Sequence, residues 1–356
     1  MRLFLYGLGV FFILSSMVYS KEKSNQVSLN VDSYTYGEAT TIDSFINKFY
    51  GDIESGDHAL SLTQFEFGVN YENFSFDIIK RYDYIYGFSN DTAHLYHQME
   101  NNVDFTSERE YQLDLKMNRF EASGIKIGYQ WDLPSNITLG LASSYLKATD
   151  FYQADLSGEA IWRGDDDFEI DAPAVINSAT NELLSYPKTD AKGQGISVDV
   201  ALDWQINNQW AVSVNVKDAY SRIRWRESLY SQINRWQVHK IKENGKLDTR
   251  PALEGRVLDY DLRLIQKWLG KFTYTTEDNW QLFSQVFHTK YFNHYKVGFN
   301  KALNEAHSVS LAWHLQAKTV ELGYYMPYGY IRILADSFDE EKAHAYILNT
   351  GITWPF

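Results

Sequence analysis

The sequence contains no cysteine, and only 6 of its 356 residues are proline. Without cysteine the chain has neither a disulfide framework nor a thiol for a lipid anchor, so stability must come from backbone pairing and packing. After the first residues no apolar run approaches the ~20 residues of a membrane-spanning helix, which excludes a helical membrane protein. The net charge of −13 leaves no basic excess to neutralise phosphates, which argues against a nucleic-acid partner.

Aromatic residues, by contrast, are abundant: 26 Tyr, 21 Phe and 10 Trp make up 16% of the chain. The mean hydropathy is nevertheless only −0.40. This combination is typical of strands that carry one polar and one apolar face, with aromatic side chains where a barrel wall meets lipid headgroups.

The last eight residues, 349–356, read Asn-Thr-Gly-Ile-Thr-Trp-Pro-Phe, and their even positions continue an apolar face at period two. Such a face suits the last strand of a barrel in lipid. The motif carried by Gly351, Trp354 and Phe356 resembles the terminal assembly signal of Gram-negative outer-membrane β-barrels. The resemblance implies an outer-membrane location, contact with outer-membrane lipid and lipopolysaccharide, and insertion by the barrel-assembly machinery and periplasmic chaperones. The alternative is the final strand of a soluble sandwich.

The N-terminus has the pattern of a secretory signal peptide. Met1 and Arg2 precede an apolar run, and the small residues Val18 and Ser20 suit a cleavage site. An uncleaved membrane anchor is the alternative. We therefore divide the chain into a signal peptide (1–20), an N-terminal segment with a first strand and a short helix (21–58) and a barrel (59–356).

The longest alternation runs from Leu258 to Tyr274, far beyond the typical ~5–6 residues of a globular strand. A membrane strand needs about 9–11 residues and can continue past the surface. The pattern predicts that Leu262, Leu264, Trp268 and Phe272 face lipid, and that Asp261, Arg263 and Lys267 face the interior.

Similar segments recur along the chain between short polar turns and long loops. They predict an all-β fold, a transmembrane antiparallel β-barrel of about 12 strands with short periplasmic turns and long extracellular loops. The predicted strands are 26–37, 59–71, 74–87, 109–131, 137–152, 194–206, 210–226, 255–275, 280–298, 303–315, 319–333 and 343–356. The turn at 317–318 is assigned to the periplasmic side.

Residues 40–53 do not alternate, but their apolar side chains recur at helical spacing behind Thr40 or Thr41 as N-cap. The segment is expected to enter the lumen as a plug, to cap the mouth, to lie on the headgroups or to pack within a surface loop. The plug candidates are Ile42, Phe45, Ile46 and Phe49.

The face opposite the apolar one carries both signs of charge. The lumen-lining candidates are Asp77, Arg81, Asp83, Lys116, Asp199, Asp203, Lys217, Asp259, Asp261, Arg263, Lys267 and Lys271. Charges inside a barrel either line water or neutralise one another, because burying an unpaired charge is costly. Both a narrow aqueous path and a lumen closed by ion pairs fit the pattern.

No catalytic signature is found. Ser310 and His314 share a face of one predicted strand but lie about 13 Å apart, whereas a nucleophile and its base need ~3 Å. The acidic segments 165–171 and 336–341 lack the spacing of a calcium loop, so neither a metal nor a cofactor is predicted.

The expected function is therefore that of a non-enzymatic outer-membrane barrel, either a narrow conduit for small solutes or an autotransporter-like shell. The shell is suggested because a barrel of about twelve strands behind a short helix resembles autotransporter-type barrels without a passenger. A structural or binding role through acidic extracellular loops and an outer-membrane lipid hydrolase remain as alternatives.

Overall fold

The computed structural model describes residues 25–47, 49–101, 103, 105, 109–164, 167–180, 191–241, 247–339 and 341–356. The predicted signal peptide lies outside the described residues. Within them, no helix combines the length and apolar character that crossing a membrane would need.

The described chain is built almost entirely of strands. These are β1 (Gln26–Gly37), β2 (His58–Tyr71), β3 (Phe74–Phe88), β4 (Arg109–Leu133), β5 (Ile137–Gly164), β6 (Asp167–Asp171), β7 (Ala174–Ser178), β8 (Lys192–Gln205), β9 (Trp210–Ile241), β10 (Leu247–Leu262), β11 (Lys267–Thr275), β12 (Trp280–His288), β13 (Asn293–Ala302), β14 (Ser308–His314), β15 (Thr319–Met326), β16 (Gly329–Ala335) and β17 (Ala345–Pro355). Two helices, α1 (Ile42–Ile46) and α2 (Asn90–Asn101), follow β1 and β3.

All strands belong to one antiparallel sheet, which closes into a barrel because β1 pairs with β17. β10 and β11 both pair with β9 and form one stave interrupted at residues 263–266. β6 and β7 extend the sheet beside β5 and β9. The barrel therefore has 14 staves, two more than predicted. An even count places both termini at one end, which we call the terminal end, and we call the other the loop end.

Two hairpins were not predicted. The predicted strand 280–298 is in fact the hairpin of β12 and β13, and the predicted strand 319–333 is the hairpin of β15 and β16. Both turns carry aromatic residues, and Phe292 of the first is buried in the lumen. A turn that contributes to the core lacks the polar signature of a loop. The first of these turns adds one reversal, so the turn at 317–318 lies at the loop end rather than with the periplasmic turns.

The first strand has the predicted bounds, 26–37, and completes the barrel between β2 and β17. The described barrel therefore includes β1. The apolar outward face predicted at the C-terminus is present, because Trp354 of β17 and Phe356 just after it are exposed. Ala345 and Ile347, which alternate with this face, are buried.

Candidate functional site

A cluster of four buried charges crosses the lumen. The Arg81 guanidinium of β3 donates two hydrogen bonds to the Asp218 carboxylate of β9, at 2.9 and 2.7 Å. Lys267 Nζ of β11 lies 2.7 Å from Asp218 Oδ2 and 3.0 Å from Asp83 Oδ2. Arg81 also pairs with Asp83 on its own strand. Because β3 is not a neighbour of β9 or β11 in the sheet, these bonds span the interior, and we call the four residues the cross-lumen cluster.

Asp218 reaches the cluster through an irregularity in β9. Between the pairs Val198–Tyr220 and Val200–Val216 three residues of β9 oppose a single residue of β8, Asp199. Asp218 has a φ of 56° in the left-handed region, and its amide donates to Asp199 Oδ1 at 2.8 Å. Simple alternation would place Asp218 on the outer face, with Val216 and Tyr220, so the sequence reading missed it.

A second contact crosses the lumen nearer the loop end. His58 Nε2 of β2 lies 2.6 Å from His294 Nε2 of β13, and His294 Nδ1 is hydrogen-bonded to the Tyr34 hydroxyl of β1. His58 Nδ1 faces Asp57 Oδ1 at 2.6 Å and Glu38 Oε2 at 3.1 Å. We call these five residues the histidine chain.

The carboxylates at one end of the histidine chain determine which ring nitrogens donate and which accept. Ionised carboxylates only accept, so His58 Nδ1 carries a proton. With both imidazole rings in the neutral form, His58 Nε2 accepts from His294 Nε2. His294 Nδ1 then accepts from the Tyr34 hydroxyl, and every donor points towards the acidic end. Burial opposes ionisation of Glu38, but hydrogen bonds from His58 and from the Asp57 amide outweigh it and lower its pKa to about 2. The chain was not predicted, because its histidines are 236 residues apart.

Two further ionic clusters run along the wall instead of across it. In one, Glu321 Oε1 lies 3.1 Å from Lys296 Nζ and 3.7 Å from Arg332 Nη1, and Glu321 Oε2 lies 3.0 Å from His314 Nε2. These residues belong to the consecutive strands β13–β16, and we call them the wall cluster. In the other cluster Lys126 pairs with Glu66, with Asp77 and Asn30 beside them.

Apolar side chains fill the lumen around the two crossing contacts. One cluster, from β3–β5 and β9–β10, contains Phe120, Phe151, Trp225 and Leu262. The opposite cluster contains Tyr36, Leu60, Ile85, Phe292, Leu334 and Ile347. The interior is thus closed by packed rings as well as by ion pairs.

Most of the predicted lumen-lining residues face the interior. Asp77, Arg81, Asp83 and Lys267 are buried there, and Asp199, Asp203, Lys217 and Lys271 occupy partly buried positions of the same face. Lys116 lies towards the loop end and pairs with Asp155 at 2.5 Å.

The prediction for Asp259, Asp261 and Arg263 is wrong, because all three are exposed. The predicted lipid-facing Leu262 and Leu264 are instead buried with Trp225. The cause is the interruption at 263–266, where the Leu264 amide donates to Ser221 Oγ at 2.8 Å. The interruption shifts the alternation by one residue, so Trp268 and Phe272 beyond it are exposed as predicted.

The plug candidates lie on the other side of the wall. Thr41 caps α1 as expected, accepting from the Ser44 amide. The rings of Phe45 and Phe49 pack against Tyr86 and Phe88, which share a strand face with the exposed Phe74, Phe76 and Ile78. The four candidates are Ile42, Phe45, Ile46 and Phe49, and Ile46 is itself exposed. The ring contacts that Phe45 and Phe49 make with β3 are therefore on the outer face of the wall.

Several buried polar atoms in the interior have no hydrogen-bond partner among the described residues. They are Asp77 Oδ2, Arg81 Nε, Trp225 Nε1, Asn300 Oδ1, Tyr330 OH and Arg332 Nε. Buried polar groups in native proteins are usually satisfied by protein or by ordered water. These atoms are therefore the positions at which ordered water is expected.

No family model matches the chain, and no similar sequence is found among curated proteins. Among solved structures, a monoaromatic hydrocarbon channel, the TodX deltaS2S3 mutant, is 10% identical with a TM-score of 0.46, over 94% of this chain and 91% of that one. The β domain of the Bordetella autotransporter BrkA is 8% identical with a TM-score of 0.27, over 94% and 100%. The outer-membrane protease OmpT of Escherichia coli is 8% identical with a TM-score of 0.26, over 96% and 100%. The antiparallel β-barrel predicted from the sequence is confirmed by the pairing of β1 with β17, which closes the fold.

Proposed function

We propose that this protein is an integral outer-membrane barrel that acts as a narrow, non-enzymatic conduit for small solutes and is closed at rest. The supporting observation is the cross-lumen cluster, in which Arg81 and Asp83 of β3 bind Asp218 and Lys267 across the interior. Packed apolar rings also fill this lumen, and such packing is at least as stabilising as buried ion pairs. Buried charges in addition to these rings favour a contact that opens, because each charged group can be hydrated when it separates from its partner.

The interior on the terminal side of the cluster is polar and supports a hydrated path. Asn300, Tyr330 and Arg332 each present a buried polar atom that lacks a protein partner. Barrels with eight staves are filled by side chains, whereas those with sixteen or more hold an open channel. With 14 staves this barrel lies between these limits, and its solutes must be small.

The test is single-channel conductance in planar bilayers. The variant Arg81→Ala/Asp218→Ala removes one cation and one anion and leaves the Lys267–Asp83 pair, 3.0 Å apart, in balance. We expect it to conduct more than the unmodified protein. The matched control is Lys296→Met/Glu321→Gln, which removes one pair of the wall cluster and should leave the conductance unchanged.

Equal silence of the unmodified protein and both variants, with all three folded, would reject the conduit. It would favour the second candidate, an autotransporter-like shell, for which the complete crossing of the lumen is the supporting observation. A role through the acidic loops is less favoured, because Asp336 accepts hydrogen bonds from the His344 and Ala345 amides and Asp339 pairs with Lys342.

A lipid hydrolase is also less favoured. His314 is engaged with Glu321, and no hydrogen bond joins it to Ser310 in the part of the chain that the structure describes. Release of fatty acid from a labelled phospholipid by the purified protein would reverse this choice. Location is tested separately: an outer-membrane barrel resists extraction by alkaline wash and migrates differently on gels before and after boiling. The barrel-assembly machinery and periplasmic chaperones are the partners that we propose for its insertion.

A further inference from the structure

Five cations lie together on the outer face of the barrel, on three consecutive staves. They are Lys147 of β5, Lys192 of β8 and Arg222, Arg224 and Arg226 of β9, and all are exposed. Between the three arginines, Ile223 and Trp225 are fully buried in the interior, so the alternation directs the arginines outward. We call these five residues the basic band.

The basic band directly borders the apolar outer face. Arg222 pairs with Ile196, which in turn pairs with Tyr145. The outward side chains Tyr145, Ile196 and Tyr220 are between 43% and 51% exposed, as expected of a lipid-facing surface. One step towards the loop end, Arg224 pairs with Gln194, and Gln194 pairs with Lys147. The cations thus begin where the apolar surface ends.

The length of the apolar face places this border at the height of the headgroups. On β8 the outward positions run from Ile196 to Trp204, and both of these residues are exposed. This span matches the about 9–11 residues with which a tilted strand crosses the hydrocarbon core. Positions immediately beyond it therefore meet the polar headgroups of the leaflet at the loop end.

The charge of the basic band is only partly neutralised by the protein itself. Arg222 donates to Asp261 at 2.5 Å and Arg224 to Asp259 at 3.0 Å. Lys147, Lys192 and Arg226 have no ion-pair partner among the residues that the structure describes. This local excess of positive charge, on a chain with a net charge of −13, attracts anionic groups.

We propose that the basic band binds the phosphate groups of lipid headgroups in the leaflet at the loop end. Lys and Arg near a membrane surface are attracted to anionic lipids, and guanidinium groups bind phosphate in a bidentate manner. This lipid site rests on the proposed function as a membrane-spanning barrel and gives that barrel a defined place for lipid headgroups. The two paired arginines are held in place by their aspartates and orient the site, and the three unpaired cations supply its excess charge.

The test measures how strongly spin-labelled phosphatidic acid and phosphatidylcholine associate with the protein in phosphatidylcholine vesicles. The unmodified barrel should prefer phosphatidic acid, and about 1 M salt, which shortens the Debye length to about 3 Å, should abolish the preference. The variant Lys147→Gln/Lys192→Gln/Arg226→Gln leaves both arginine–aspartate pairs intact. It should lose the preference severalfold, because the attraction accumulates with each cation.

The matched control, Arg163→Gln/Arg256→Gln/Lys342→Gln, removes the same charge from exposed residues outside the band and should keep the preference. The proposal is overturned if the unmodified barrel does not distinguish the two lipids, if the preference survives high salt, or if both triple variants lose it equally. Boiled and unboiled gel migration verifies that each variant is folded. A protein that can be washed from the vesicles would instead refute the membrane-spanning function itself.

Discussion

The cross-lumen cluster and the wall cluster have similar chemistry and opposite topology. Each holds buried carboxylate and cationic groups within hydrogen-bonding distance: Asp218 with Arg81 and Lys267, and Glu321 with Lys296. The first joins β3 to β9 and β11, which are not neighbours of β3 in the sheet, whereas the second joins consecutive strands. The comparison shows that burial and ion pairing alone do not close a lumen. Closure depends on which strands the partners occupy.

The largest expected effect comes from breaking either cluster at its carboxylate. Asp218→Ala leaves Arg81 and Lys267 with a single anion, and Glu321→Ala leaves the cations of the wall cluster without one. Removing one partner of a buried ion pair typically costs 3–5 kcal/mol, about the cost expected for each variant here. Urea unfolding in detergent, followed by gel migration, measures the loss. The clusters should differ only in conductance, which should rise for Asp218→Ala alone. A rise for Glu321→Ala as well would contradict the distinction.

A second effect concerns the outer face of the barrel, whose alternation with the inner face places both clusters in the interior. Trp268→Arg places a charge on the lipid-facing surface of β11 and should destabilise the barrel in bilayers by ~2–4 kcal/mol. Asp261→Arg, on the exposed stretch before the interruption, should fold into bilayers like the unmodified protein. Folding yield in vesicles compares the two. If Asp261→Arg is the more harmful, the shift of alternation at 263–266 is wrong.

The histidine chain provides a smaller and additive effect. His294→Phe removes a hydrogen-bond partner from both His58 and Tyr34, and leaving a buried polar group unsatisfied costs about 1–3 kcal/mol. In the Arg81→Ala/Asp218→Ala background, His294→Phe should raise conductance further, because it opens the second crossing contact. His307→Phe is the control, since His307 lies near the terminal end and its side chain is hydrogen-bonded only to Tyr324 among the described residues. If the conductance does not rise above that of the double variant, the histidine chain does not restrict the path.

The smallest expected effect tests whether the geometry of the Arg81–Asp218 contact matters beyond its charge. Arg81→Lys keeps the charge but loses the two-point contact with Asp218, so we expect a loss of about 1 kcal/mol, the net contribution of one hydrogen bond. Conductance should stay close to that of the unmodified protein. An increase as large as that of the double alanine variant would show that the planar guanidinium, and not charge balance, keeps the lumen closed.

The sequence predicted the wall of the barrel better than its interior. Alternation is a local property of each strand, so Trp354 and Phe356 could be placed on the outer face from their spacing alone. The same rule fails wherever a strand is irregular. The interruption at 263–266 reverses the faces of Asp261 and Leu262, and the irregularity at Asp218 turns a nominally outward residue inward.

The pairing of interior charges could not be predicted for a different reason. Period-two patterning shows which face Arg81 occupies, but its partner Asp218 belongs to a stave that neither sequence distance nor strand order identifies. The missed hairpin between β12 and β13 has a third cause, since the turn containing Phe292 packs into the interior and so continues the apolar pattern of a strand. Prediction from the sequence therefore failed at positions where tertiary packing overrides the local pattern of residues.

The pairing of β1 with β17 has a consequence for biogenesis. The register joins Gln26 to Pro355 and Tyr36 to Ala345, so the segments most distant along the chain form the seam of the barrel. A chain interrupted anywhere before β17 exposes two unpaired strand edges, and such edges recruit other chains. Until the last strand arrives, each molecule is an open and adhesive sheet that must be kept apart from its copies. Closing the seam turns that surface into one without edges, which makes the final strand the step that commits the molecule to its native form.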